Sequence, residues 1–81
     1  MRIISQDKMR DISYESCALQ IRNDNQIVGF CANYLIDLGH YNKVEDAKAV
    51  LWDIAANFKV GKDYYEMPQD DEDLSYAYRE V

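Results

Sequence analysis

The chain predicts an α+β domain, a mostly antiparallel β-sheet of four to six strands with one amphipathic helix packed on it. Two observations carry this. A single stretch, from Val44 to Lys59, repeats its apolar residues with helical period, and the segments on either side of it alternate with period two. Turn-forming residues separate the alternating runs, most clearly at Asn23-Asp24-Asn25 and Gly61.

Residues 2–6 are β-prone, and Asp7 to Arg10 turn the chain into a second short run at residues 11–14. Residues 16–22 place Cys17, Leu19 and Ile21 on one side and polar or small residues on the other, the pattern of a half-buried strand. The next strand is residues 26–32. A hairpin centred on Asp24 opposes Ile21 to Ile27, Leu19 to Gly29 and Cys17 to Cys31, all on one apolar side. The facing cysteines are expected as buried thiols, because a reducing compartment and the strain of bridging opposed strands both disfavour a disulfide. Residues 34–41 form another strand, with Tyr34, Ile36 and Leu38 on a shared face.

Asn42 is the expected helix N-cap, with Glu45 completing a capping box, and Gly61 the expected stop. Val44, Ala47, Val50, Leu51, Ile54, Ala55 and Phe58 fall within an arc of about 140°, a core-facing stripe. Residues 63–67 make the last strand before Pro68, giving a single domain over residues 1–68. Residues 69–81 are set apart by composition as an acidic C-terminal tail.

The chain of 81 residues is 48% apolar and 30% charged, with a net charge of −6. From Glu66 onward there are six acids and one base, while residues 1–65 hold nine acids and eight bases. A near-neutral body with an acidic end offers no cluster of Lys and Arg to displace counterions, so direct nucleic-acid binding is not expected. No apolar run reaches the roughly 18 residues of a membrane span, and residues 1–5 lack a signal peptide's apolar core. A cytoplasmic protein without membrane contact is the expectation.

Nothing in the chain points to an enzyme. His40 is the only histidine and follows Gly39 at a strand end, with no cysteine or serine partner in sequence. Gly29, Gly39 and Gly61 stand apart from one another and form no phosphate-cradling loop. Two cysteines and one histidine are too few for a zinc site, and Asp70–Asp73 lacks the glycine and terminal glutamate of a calcium loop. No cofactor or metal is expected.

Trp52 stands out instead, about 60° beyond the apolar stripe on the wet side of the helix. Three roles fit it: a contact with a partner or second copy, a seat for Leu74, Tyr76 or Tyr78 of the tail, and partial burial at the sheet's rim. Seven tyrosines, five of them in predicted strands, make the sheet's uncovered face an aromatic-rich candidate for binding or homo-oligomerisation. The candidate partner-binding residues are Trp52, the acids Asp70, Asp71, Glu72 and Asp73, and the aromatics Tyr76 and Tyr78.

Several motifs resemble a group of small proteins from bacteriophages and integrated mobile elements of Gram-positive bacteria. They are the opening Met1 to Asp7, Tyr14-Glu15, Leu38-Gly39-His40-Tyr41, the helix run Glu45 to Leu51 with Ile54, and Tyr65-Glu66-Met67-Pro68. The likeness spans residues 1–68. It departs at Asp7-Lys8, where the group has a glycine, and at Trp52, where it has a charged residue. The resemblance implies a role in phage–host conflict: a non-enzymatic counter-defence inhibitor, anti-CRISPR-like, that binds a host defence protein stoichiometrically. Two rival readings stand beside it: an oligomeric sequesterer of a nucleotide immune signal, drawing on Arg2, Lys8, Arg10 and Arg22 for phosphate, and an accessory or regulatory domain of the element itself.

Overall fold

A computed structural model describes residues 1–70 of the chain. Strands β1 (Arg2–Ile4), β2 (Asp11–Ser13), β3 (Cys17–Arg22), β4 (Gln26–Cys31) and β5 (Tyr34–His40) precede helix α1 (Val44–Lys59) and strand β6 (Tyr64–Glu66). The domain is α+β, as the alternation and the single helical period predict. Its strands divide between two three-stranded sheets, ordered β2-β1-β6 and β3-β4-β5. All pairings are antiparallel except β1 with β6, which is parallel.

The β3–β4 hairpin has the expected register, with Cys17 opposite Cys31, Leu19 opposite Gly29 and Ile21 opposite Ile27. Asp24 and Asn25 carry its turn at φ 64° and 58°, left-handed backbone that these side chains tolerate. The cysteines correct the sequence reading: Cys17 and Cys31 are joined in a disulfide. Their Cα atoms are 4.4 Å apart, the spacing of a non-hydrogen-bonded antiparallel pair and within reach of a disulfide. Direct opposition, read from sequence as an obstacle to bridging, is here what brings the sulfurs together.

The helix ends as predicted and begins differently. Gly61 (φ 84°) donates its N–H to Phe58 O at 3.0 Å, and Lys62 donates to Asn57 O at 3.1 Å, the paired bonds of a Schellman motif. At the other end Lys43, not Asn42, is the N-cap, and its side chain caps nothing. Asn42 serves the loop instead: its N–H donates to Asp70 Oδ1 at 3.0 Å and its carbonyl accepts from Asn25 Nδ2 at 3.3 Å.

Ile3, Ile12, Ile27, Leu38, Tyr41, Ala47, Val50, Ile54, Tyr65 and Met67 form one core between helix and sheets. Gln6 joins the two sheets. Its backbone N–H donates to Leu38 O at 2.7 Å, and its side chain accepts from His40 N at 2.9 Å while donating to His40 O and Pro68 O, each at 3.1 Å. A Cβ at Gly39 would come within 3.1–3.2 Å of the Gln6 side chain, so the glycine leaves the room Gln6 needs.

The turn between β1 and β2 carries left-handed backbone at a non-glycine residue. Lys8 has φ 65°, a left-handed conformation that costs a side chain about 1 kcal/mol or more. Its ammonium meets Glu66 at 2.8 Å, but both side chains are about half exposed, so the pair contributes little. Lys8→Gly should therefore be more stable than Lys8→Ala by about 1 kcal/mol, because both lose the ion pair and only glycine relieves the backbone. Urea unfolding of the two variants measures the difference.

Candidate functional site

The helix is turned on its axis relative to the predicted stripe. Its buried residues are Ala47, Ala49, Val50, Asp53 and Ile54, an arc centred about 90° away from the one the apolar pattern describes. Val44 and Phe58 are exposed at 39% and 41%, and Leu51 and Ala55 are only half-buried. The turn has a polar cause. Asp53 faces inward, accepting from the Tyr65 hydroxyl at 2.8 Å and from Asn57 Nδ2 at 3.3 Å, so its buried carboxylate is held by hydrogen bonds.

Rotation leaves the rest of the apolar stripe as one wall of an open groove. Leu51, Trp52, Ala55 and Phe58 form that wall, and Tyr14, Glu15, Cys17 and Leu19 form the other, enclosing about 560 Å³. The second wall combines the start of β3 with a one-turn 3-10 helix at Tyr14–Ser16 that alternation does not predict. Tyr14 and Phe58 meet across it with ring centroids 4.8 Å apart. Trp52 is 54% exposed, so a large indole stands on the rim of an apolar trough wide enough for one or two partner side chains.

Among the described residues Glu15 is the only acid on the lining. Both its oxygens accept from the Met1 ammonium at 2.7 Å, and that bond holds its carboxyl below the usual carboxylate range. Asp7 is likewise held low, first by the Ser5 hydroxyl and then by the Met9 N–H. A carboxyl depressed in the folded state stabilises the fold above its unfolded pKa of roughly 4, and that contribution is lost as pH falls through the folded value. The midpoint of thermal unfolding should hold between pH 7 and about pH 5 and then fall toward pH 2, with Asp7→Asn flattening part of the fall.

Trp52 is thus placed at the groove. Asp70 lies at the start of the helix on Asn42 N, and a rise of 1.5 Å per residue puts Trp52 about 12 Å further along the axis. The structure does not bring these two together. Asp71, Glu72, Asp73, Tyr76 and Tyr78, with Leu74, lie outside the described residues. Of the strand tyrosines, Tyr41 and Tyr65 are buried, Tyr14 is half-buried, and Tyr34 and Tyr64 are exposed at 73% and 60%. A smaller apolar spot lies on the outer face of the β3-β4-β5 sheet, where Phe30 and Leu35 pair across strands, each 47% exposed.

The bases considered for a phosphate pocket are largely engaged with acids. Arg2 pairs with Asp11 at 2.8 Å, Lys8 with Glu66 at 2.8 Å and Arg10 with Asp7 at 3.4 Å. His40 has an exposed ring whose Nδ1 is 3.9 Å from Asp37 Oδ2, and its backbone anchors Gln6. Among the described residues no three metal-ligating side chains converge, and no helix is long and apolar enough to cross a membrane. Sequence reasoning missed the groove because its helix wall was counted as core. Leu51, Ala55 and Phe58 are members of the apolar stripe that the helix's rotation leaves half-buried or exposed. Comparison with known protein families, curated proteins and solved structures finds no match to this chain.

Proposed function

We propose that this chain is a non-enzymatic interaction protein of a phage or mobile element, acting in the bacterial cytoplasm by stoichiometric binding to a host defence protein. The observation that carries the reading is the groove: an apolar trough of about 560 Å³ with Trp52 more than half exposed on its rim. Exposed tryptophan beside an apolar depression is what interface hot spots are made of. The resemblance to mobile-element proteins supplies the setting, and the charge layout supplies a second contact. Asp70, Asp71, Glu72 and Asp73 match a basic surface such as one that receives a nucleic-acid backbone, with Tyr76 and Tyr78 as aromatic anchors. Association then weakens as salt rises.

Sequestration of a nucleotide signal is the weaker reading, since three of its four candidate bases are spent on ion pairs. The test is affinity capture from host lysate with three baits: the intact chain, Trp52→Ala, and a truncation ending at Pro68. The reading expects one protein recovered in equimolar amount by the intact chain and depleted with both variants. Equal recovery by all three overturns it, and thermal stabilisation by cyclic nucleotides in place of any protein partner favours sequestration.

A further inference from the structure

The disulfide and the groove share a residue. Cys17 lines the groove and Cys31 does not; the Cys31 sulfur is 3.6 Å from the position a Cβ would take on Gly29. Both cysteines are half-buried. They oppose each other at the last rung of the β3–β4 ladder, one pair beyond Ala18 and Phe30, and the disulfide closes that rung covalently. It also stands where β3, an edge strand, gives way to the turn carrying Tyr14 and Glu15.

We propose that Cys17–Cys31 is a thiol–disulfide exchange site through which a dithiol reductant loosens the groove's second wall. The thiolate of the reductant attacks Cys17 Sγ from the groove. The S–S bond breaks, its electron pair leaves on Cys31 Sγ, and that sulfur takes a proton. The second thiolate of the reductant then attacks its own sulfur in the mixed disulfide, which forms the reductant's disulfide and releases Cys17 as a thiolate to be protonated. The protein disulfide is reduced by two electrons and the dithiol is oxidised by two. Tyr14, Glu15 and Cys17 then lose their covalent tie to β4 and are held by the Tyr14–Phe58 ring contact, the bonds to Met1, the Ser13 hydroxyl on Glu15 and packing against the core. The expected consequence for partner affinity, a fall on reduction, rests on the groove as the contact; the exchange and the loosening do not.

Two measurements on the full chain test it. Brief treatment of the oxidised protein with glutathione, acid quenching and peptide mapping should place glutathione on Cys17 and leave Cys31 as a free thiol. Hydrogen exchange with and without dithiothreitol should show protection at residues 14–18 falling about tenfold while β4, β5 and the helix keep theirs. The Cys17→Ser, Cys31→Ser double variant should show the same local pattern without reductant. Glutathione on Cys31, failure of the disulfide to react, unchanged exchange at residues 14–18, or loss of protection throughout the chain would each overturn the proposal. The last outcome would make the bond a staple of the whole fold.

Discussion

Replacing Trp52 with alanine should weaken partner binding about 30-fold or more, roughly 2 kcal/mol, while leaving the fold almost as stable as before. The two effects separate because the indole is 54% exposed and belongs to the groove's rim instead of the core. Removing it creates no enclosed cavity, so the penalty of a core truncation does not apply. A titration of the captured partner against both proteins, beside their thermal melts, reads the split. Comparable losses in both would mean that Trp52 is a structural residue. Trp52→Phe should recover part of the affinity, since a ring still fills the rim.

The second large effect is on stability. Gln6→Ala deletes the three side-chain hydrogen bonds to His40 N, His40 O and Pro68 O. At about 1 kcal/mol for each net bond the loss is about 3 kcal/mol, a large share of the 5–10 kcal/mol typical of a small domain. The melting temperature should drop by about 15 °C. Gln20, exposed on the outer face of β3, is the control, and its replacement by alanine should change stability by less than about 0.5 kcal/mol. Equal effects at the two positions would remove Gln6 from its place as the joint between the sheets.

Neither residue owes its role to a motif, and the contrast shows where sequence reasoning works. The β3–β4 register was legible because every alternate residue from Cys17 to Ile21 is apolar and a slip of one would turn that set outward. Gly61 was legible because a helix stop needs left-handed backbone and glycine adopts it at no cost. The division into two sheets was not, since β1, β2 and β6 are three residues long and too short to show a period. Parallel pairing of Arg2 with Tyr64 is a long-range event that leaves no local mark.

The site was legible by half. Trp52 announced itself by standing off the apolar stripe, yet the groove beside it depends on the helix's rotation. That rotation is set by Asp53 reaching Tyr65 across the core, a contact no spacing along the helix reveals. The cysteines were placed correctly opposite one another and assigned the wrong oxidation state, because register reports proximity and not chemistry. The acids beyond Asp70 remain a matter of charge pattern.

The account stands on the groove as the surface of contact, and hydrogen exchange of the chain with and without its partner tests that most directly. New protection confined to residues 14–19 on one wall and 51–58 on the other is the predicted footprint. Protection instead at the Phe30–Leu35 face, with those two segments unchanged, would contradict it.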